Sequence, residues 1–211
     1  MISLTISGFA GPLEALLCLP PHPMGFAVIA HPHPLFGGTM HTKVVHRTSK
    51  IFADFFHFAS FRFNFRGVGA SGGKYDGKRE MDDVVSIVSY ARSCFPRLPL
   101  ALAGFSFGSL CAARAALIVE PAVVLLIGVP YDRWSDKEAH VLKRQNVVCV
   151  QGAKDQFGPG PLALEVARRH GFQAAIVQGA DHFFSGHLNE FEKVVIDRLS
   201  QAGLSNFKTH T

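Results

Sequence analysis

Short apolar runs recur along the chain, and segments with apolar residues every three or four positions separate most of them. The first two runs, SLTIS and EALLCLP, flank a Gly-Pro pair and predict an antiparallel opening. The later runs that predict strands are GFAVIA, FRFNF, LPLALAGF, AVVLLIGVP, NVVCVQGA and QAAIVQG. FRFNF alternates between apolar and polar residues, whereas most of the others are nearly continuous apolar runs, which is typical of buried parallel strands.

Helical periodicity predicts helices over 44–57, around 81–88, and over 107–119, 161–170 and 187–202. Strands therefore alternate with helices, which predicts the α/β fold class, with a mostly parallel sheet covered on both faces. No linker, internal repeat or low-complexity segment interrupts the pattern, so we expect one domain over 1–211. In such a sheet ligands bind beyond the carboxyl ends of the strands.

Composition narrows the class of protein. The chain is 48% hydrophobic and 18% charged, which favours a sizeable core over disorder. The net charge of +5 comes without a basic run or an RNA-binding motif, so we expect no nucleic-acid partner. The longest apolar stretch is too short to span a bilayer, which argues against a membrane partner. No signal peptide and no CxxC pair are apparent, so we expect a cytoplasmic protein with free thiols.

Ser106 is the first candidate for chemistry. It lies in GFSFG, a G-x-S-x-G sequence between a predicted strand and a predicted helix, which is the nucleophile-elbow pattern. Gly104 and Gly108 satisfy the need for small residues in so tight a turn. The N–H of Phe107, at the start of the helix, is free to bind a developing oxyanion. A serine in an ordinary glycine-rich loop is the alternative reading.

A serine nucleophile needs a base and a group that orients the base. His182, in GADHFF, follows the last predicted strand and lies after Ser106 in the sequence. The chain order Ser…Asp…His is the one that accompanies a nucleophile elbow. Asp155, in GAKDQF, follows a strand between the two and is favoured as the acid. Asp132, which ends the preceding strand, is its rival. Asp181 is disfavoured because it adjoins His182.

The loop HPHPLFGG, after an early strand, is expected to supply the second oxyanion donor. Its two prolines lack an N–H, so His33 and Leu35 are the nearest candidates, and the sequence does not choose between them. His31 and His33 are spaced as a metal pair, but no carboxylate or cysteine lies nearby at ligand spacing. We therefore expect no metal, and assign these imidazoles to packing and loop hydrogen bonds.

The segment NFRGVGASGG, 64–73, is another strand-end loop. Its glycines match neither G-x-G-x-x-G nor G-x-x-x-x-G-K-[ST], so nucleotide binding is not indicated. A conformationally demanding turn that supports the elbow is the better interpretation.

Together, GFSFG, GAKDQF, GADHFF, HPHPLFGGTM and NFRGVGASGG resemble the α/β-hydrolase superfamily. More narrowly, they resemble its small, lid-free bacterial branch near the dienelactone hydrolases, over about residues 2–202. The resemblance implies an α/β-hydrolase fold with an eight-stranded, mostly parallel sheet whose first strands are antiparallel. Larger relatives insert a cap after the sixth strand. YDRWSDKEAHVLKRQ stands there instead and is too short for a cap domain, so we expect an open, shallow site.

The resemblance also implies site residues. Ser106 is the nucleophile, His182 the base and Asp155 the acid, and Phe107 supplies one oxyanion N–H. Leu35 supplies the other if LFGG is aligned to the dienelactone-hydrolase loop, and His33 does so if HPHP is aligned to the commoner His-Gly-x-Pro loop. True dienelactone hydrolases use cysteine, so the serine argues against dienelactone as the substrate.

The expected function is hydrolysis of small-molecule carboxylic esters or thioesters with small acyl groups, through an acyl-enzyme on Ser106 and without a cofactor. A peptidase or acyltransferase that uses the same triad is an alternative. A non-catalytic binding or scaffold module with this fold is another. The sequence does not indicate the oligomeric state or the physiological substrate.

Overall fold

The computed structural model describes residues 1–135 and 145–206. Eight strands form one sheet: β1 (Ile2–Gly8), β2 (Gly11–Cys18), β3 (Gly25–Ala30), β4 (Phe58–Phe63), β5 (Leu100–Phe105), β6 (Val123–Ile127), β7 (Val147–Gly152) and β8 (Gln173–Val177). The α-helices of the described residues are α1 (Lys43–Lys50), α2 (Glu80–Cys94), α3 (Phe107–Val119), α4 (Gly160–His170) and α5 (Leu188–Gln201).

The strands lie in the order β1-β2-β4-β3-β5-β6-β7-β8. The β1–β2 and β2–β4 pairs are antiparallel, and every other neighbouring pair is parallel. The expected antiparallel opening and mostly parallel sheet are thus confirmed. The loops that follow β3, β5, β6, β7 and β8 all leave the same edge of the sheet, because parallel strands bring their carboxyl ends together.

Helices cover both faces of the sheet. One core cluster joins alternate strand residues to α2, α3 and α4 through Val84, Leu110 and Ala163. The other joins the opposite strand face to α1 and α5 through Val44 and Phe191. Since both faces are covered, the central strands are buried at every position, which explains their continuous apolar runs.

The helix predicted over 44–57 differs from the structure at its end. Regular α-helix stops at Lys50, and the chain continues as a wider π-type turn over Ile51–Phe55. In that turn the N–H of Phe56 donates to the carbonyl of Ile51 at 3.3 Å. His57 then takes a φ of 55°, which ends the helix before β4. The apolar periodicity could not reveal this widening, because Ile51 and Phe52 are buried in either geometry.

FRFNFRG alternates between apolar and polar residues, yet β4 is buried on both faces. Its polar side chains, and that of Asn64 just beyond it, are instead matched by partners within the protein. The guanidinium of Arg62 donates to the carbonyl of Met40 at 2.9 Å. The amide of Asn64 accepts from the N–H of Met40 at 2.9 Å and donates to Glu14 at 2.7 Å. Polar partners therefore replace solvent along this strand.

Between β6 and β7 the described chain contains one short 3-10 turn, Tyr131–Arg133. The rest of the segment that was expected to be irregular, 136–144, lies outside the described residues. The nineteen residues from 128 to 146 leave no room for a cap domain at this position.

Within the part of the chain that the structure describes, none of the helices combines the length and apolarity needed to cross a bilayer. All four cysteines are unpaired, and Cys111 and Cys149 are buried.

Candidate active site

Ser106 stands in a sharp turn between β5 and α3, with φ of 55° and ψ of −122°. A positive φ is strained for a residue with a Cβ, and such strain persists only where the surrounding structure enforces it. Here the N–H of Ser106 donates to the carbonyl of Ile127 at 2.8 Å, and its carbonyl accepts from the N–H of Ser109 at 2.8 Å. The turn is therefore fixed from both β6 and α3.

The two glycines of GFSFG are required by close backbone approach. A Cβ on Gly104 would lie 2.1 Å from the carbonyl oxygen of Gly108. A Cβ on Gly108 would lie 2.5 Å from the carbonyl oxygens of both Ala30 and His31. The second contact shows that α3 begins directly against the end of β3. The sequence-based argument for small residues at both positions is thus confirmed.

The loop after β8 brings His182 to Ser106. Nε2 of His182 lies 2.9 Å from Oγ of Ser106, and Nδ1 lies 2.7 Å from Oδ2 of Asp155. His182 and Asp155 are 2% and 1% exposed, so bulk water does not compete for these bonds. A carboxylate can only accept, so Nδ1 carries the ring proton and Nε2 accepts the hydroxyl proton of Ser106. The structure therefore brings together the three residues predicted from widely separated segments.

Asp155 is the carboxylate that meets the histidine, and its two rivals lie elsewhere. Oδ1 of Asp155 accepts from the N–H of Phe157 at 2.8 Å, and Oδ2 accepts from Gln151 at 2.8 Å as well as from His182. Asp132 is exposed and pairs with its neighbour Arg133 at 3.9 Å. Asp181 instead caps its own turn.

The carboxylate of Asp181 accepts from the N–H groups of Phe183 and Ser185, at 3.0 and 2.9 Å. These bonds, that from Ser185 foremost, lower the pKa of Asp181. Asp181 therefore shapes the loop that carries His182 and does not face the imidazole Nδ1.

Gln151 was not singled out from the sequence. It is fully buried in β7, where its Oε1 accepts from the N–H of Val129 at 2.9 Å while its Nε2 donates to Asp155. Gln151 thereby links the loop that carries Asp155 to the loop after β6. The signal was present in VVCVQG, because a polar side chain at the end of an otherwise apolar buried strand needs a buried partner.

Aromatic rings enclose the imidazole of His182. Its centroid lies 4.8 Å from that of Phe157, 5.1 Å from Phe105 and 5.2 Å from Phe183. On the remaining side, a Cβ at Gly128 would lie 3.3 Å from the Cε1 atom of His182, and Gly128 has a φ of 55°. Ring packing and a close backbone approach thus hold the imidazole in one orientation.

The loop after β3 decides between the two candidates for the second oxyanion donor. The N–H of Leu35 donates to Nδ1 of His33 at 3.2 Å, and the Leu35 side chain is 70% exposed and does not line the pocket at Ser106. His33 does line that pocket. Among the hydrogen bonds of the described residues, none uses the backbone N–H of His33 or of Phe107. The geometry therefore favours His33 over Leu35.

The ring of His33 is held by Tyr75, which sequence reasoning also missed. Because Nδ1 accepts from Leu35, Nε2 carries the proton and donates to the hydroxyl of Tyr75 at 2.9 Å. Burial lowers the pKa of His33, which favours this neutral form. Glu80 accepts from the N–H groups of Asp76 and Gly77 and so fixes the turn that presents Tyr75.

His31 is fully buried and has a different task. Nδ1 donates to the carbonyl of Pro32 at 2.6 Å, and Nε2 accepts from the N–H of Phe65 at 3.0 Å. Burial lowers the pKa of His31 to about 4, so the ring is neutral at pH 7. Both nitrogens are occupied by loop hydrogen bonds, as expected from the sequence.

Within residues 1–135 and 145–206, no group of three or more His, Cys, Asp or Glu side chains is arranged to hold a metal ion.

The loop of NFRGVGASGG is anchored by Arg66. Its guanidinium meets the carboxylate of Asp83 on α2 with a shortest contact of 2.7 Å and also donates to the carbonyl of Arg79. Arg66 and Asp83 are 2% and 0% exposed in their side chains. Phe65 packs edge-on against Phe107 at 5.7 Å. This loop therefore supports the turn that carries Ser106, as predicted.

A pocket of about 460 Å³ opens above Ser106 and His182. Its remaining walls are mostly apolar or small residues from the loops after β3 and β6–β8 and from α3: Pro32, Phe36, Gly37, Gly38, Phe107, Leu110, Pro130, Phe157 and Phe183. This volume is within the range of pockets that bind small molecules. The site therefore has more enclosing wall than the missing cap led us to expect, because strand-end loops build that wall, and part of the site stays open.

Comparisons with known proteins agree with the fold. No protein-family model matches the chain. An uncharacterized protein, RP471 of Rickettsia prowazekii (strain Madrid E), is 31% identical over 186 residues, which are 82% of this chain and 77% of that protein.

Two solved structures are similar over nearly their whole length. An α/β serine hydrolase homologue from Coxiella burnetii is 30% identical, with a TM-score of 0.86 and coverage of 94% of this chain and 97% of that chain. XC6422 from Xanthomonas campestris, an α/β serine hydrolase without a lid, is 29% identical, with a TM-score of 0.86 and coverage of 95% and 94%.

Proposed function

The chain belongs to the α/β-hydrolase superfamily, and from that premise we propose that it is a serine hydrolase of carboxylic esters or thioesters that forms an acyl-enzyme on Ser106. The observation that carries the proposal is the continuous hydrogen-bonded chain from Ser106 through His182 to Asp155 at the wall of the pocket. A strained serine turn at a pocket, with an oriented imidazole, serves nucleophilic catalysis better than it serves stability.

In the first step, Nε2 of His182 takes the hydroxyl proton of Ser106 as Oγ attacks the carbonyl carbon. Asp155 holds the imidazole in the tautomer that leaves Nε2 free, and its charge stabilises the imidazolium that forms. The three donors to Asp155 keep its carboxylate in place during this charge transfer.

The developing oxyanion rests on the backbone N–H groups of Phe107 and His33. Both are free of other partners within the described residues, and the α3 N-terminus adds a favourable dipole at Phe107. His182 then protonates the leaving oxygen or sulfur, and the acyl group stays on Ser106. Water, deprotonated by the same imidazole, attacks the acyl-enzyme and releases the acid.

Turnover of p-nitrophenyl acetate by the wild type and by Ser106→Ala tests this proposal. Loss of a triad nucleophile leaves only the residual rate from binding and the oxyanion donors, so kcat should fall by at least about 10³-fold. Equal rates for the two proteins would exclude Ser106 as the nucleophile. Absence of turnover in both, with no labelling of the wild type by a fluorophosphonate, would favour the non-catalytic binding module.

A further inference from the structure

The pocket has two aromatic walls, one beside each of the two imidazoles that line it. Phe157 and Phe183 form one wall and pack against the imidazole of His182, at 4.8 and 5.2 Å. Phe36 and Phe107 form the other and pack against the imidazole of His33, at 4.8 and 5.1 Å. We call these the His182 wall and the His33 wall. Each ends in an exposed ring, because Phe183 is 51% and Phe36 is 81% exposed.

The reaction assigns a different part of the ester to each wall. His182 must donate its proton to the leaving atom, so that atom lies within hydrogen-bond reach of Nε2. The alcohol or thiol half of the ester therefore extends along the His182 wall. The oxyanion points at the N–H groups of His33 and Phe107 and the leaving atom at Nε2 of His182, so the acyl chain takes the remaining direction from the tetrahedral carbon. Because the leaving group occupies the His182 wall, the aromatic wall that remains for the acyl chain is the His33 wall.

Charge at the pocket argues for a neutral ligand. Among the described residues that line it, the ionised side chains are Asp132 and Arg133, which pair with each other at 3.9 Å. Their opposite charges largely cancel for a ligand at the mouth. The rings at the mouth are apolar surface that an uncharged substrate would cover.

We propose that the substrate is an uncharged ester or thioester with two apolar halves, with the alcohol or thiol half bound along Phe183 and the acyl half along Phe36. This inference rests on the proposed function and names its substrate class. Phe183 and Phe36 are then the residues that set leaving-group and acyl-group preference, respectively. Both rings are largely exposed, so their removal leaves the core intact.

Two pairs of substrates test the two walls separately. Methyl and benzyl hexanoate share the acyl group, and p-nitrophenyl acetate and p-nitrophenyl hexanoate share the leaving group. For each substrate, kcat/KM of a variant is divided by that of the wild type, so that intrinsic reactivity cancels. Phe183→Ala should lower this ratio about tenfold more for benzyl than for methyl hexanoate, and Phe36→Ala about tenfold more for p-nitrophenyl hexanoate than for the acetate.

The matched control is Phe55→Ala. Phe55 is 52% exposed and lies outside the pocket, so this change removes a ring about as exposed as that of Phe183 and should alter none of the four ratios by more than about twofold. Equal losses on all four substrates, or an acyl-length effect from Phe183→Ala, would overturn the assignment of the walls.

The requirement for an uncharged substrate has its own comparison. S-Benzyl hexanethioate and hexanoyl-coenzyme A carry the same acyl group on a sulfur leaving atom, but the second bears several negative charges. We expect kcat/KM for hexanoyl-coenzyme A to be at least about tenfold lower. An equal or higher value would overturn the inference. If turnover depends on Ser106 but each variant lowers kcat/KM equally for all substrates, only this inference is contradicted. If no substrate shows turnover that depends on Ser106, the proposed function is contradicted as well.

Discussion

Replacing Asp155 by Asn tests the role of the buried carboxylate, because the surrounding donors fix how the amide sits. The N–H of Phe157 is backbone and points at the Oδ1 position at 2.8 Å, so the amide oxygen should occupy that position. The amide NH₂ then lies at the Oδ2 position, where Nδ1 of His182 is 2.7 Å away. Gln151 must then move away from the new donor, because its Oε1 is held by the backbone N–H of Val129 and cannot turn to accept from the amide. A side chain shifts more readily than the backbone N–H of Phe157, so the orientation set by Phe157 should prevail.

This orientation forces the wrong tautomer on His182. The amide donates to Nδ1, so the ring proton moves to Nε2, which lies 2.9 Å from Oγ of Ser106 and can no longer accept its proton. The loss expected from such a tautomer change is about 10⁴-fold in kcat, or about 5.5 kcal/mol of transition-state stabilisation. Volume is unchanged, so the KM for a small ester should change much less than kcat.

Steady-state kinetics with p-nitrophenyl acetate, together with urea unfolding to verify the fold, measures this effect. Asp181→Asn is the matched control, since its Oδ1 still accepts from Phe183 and Ser185 and kcat should stay within about twofold. Asp132→Asn tests the rival acid predicted from the sequence. A loss below about tenfold for Asp155→Asn, or a larger loss for Asp132→Asn, would refute the reasoning.

Three further predictions concern the loops around the site. Asp83→Asn leaves the buried guanidinium of Arg66 without its carboxylate, so urea unfolding should show a loss of about 3 kcal/mol, and a loss under about 1 kcal/mol would contradict the buried ion pair. Burial lowers the pKa of His31 from 6.5 in the unfolded chain to about 4 in the folded protein, so the free energy of unfolding should fall by up to about 3 kcal/mol as the pH is lowered from 6.5 to 4. His31→Gln should remove that part of the pH dependence, and an unchanged slope would count against it. Tyr75→Phe removes the acceptor of the His33 ring, worth about 1 kcal/mol, so kcat should fall about fivefold with little change in KM; no change in kcat would mean that Tyr75 does not position the oxyanion loop.

The sequence predicted the alternating strands and helices well, because buried parallel strands and amphipathic helices leave strong patterns. The helix over 107–119 has the predicted bounds. The end of α1 was missed, and the partners of the polar side chains in FRFNF were not indicated, for a common reason. Periodicity reports which side chains avoid water, and it does not report local widening of a helix or polar side chains with buried partners.

The candidate site was predictable where chain order and strand ends constrain it. Ser106, Asp155 and His182 each follow a strand, and the parallel sheet brings those strand ends together. The preference for His33 over Leu35 follows only from the folded loop, because it depends on which N–H a neighbouring ring already occupies. Tyr75 pairs with His33 across 42 residues, and no local pattern encodes that contact. Gln151 lies in the same segment as Asp155, and its place in VVCVQG indicates a buried partner without identifying it.

The central claim is that Ser106 is a nucleophile activated by His182. Intact-mass spectrometry of the protein after exposure to a fluorophosphonate, followed by peptide mapping, tests it most directly. We predict one covalent adduct per chain on Ser106 in the wild type, markedly slower labelling in His182→Ala, and none in Ser106→Ala. An unlabelled wild type, or an adduct on another residue that persists in Ser106→Ala, would contradict the claim.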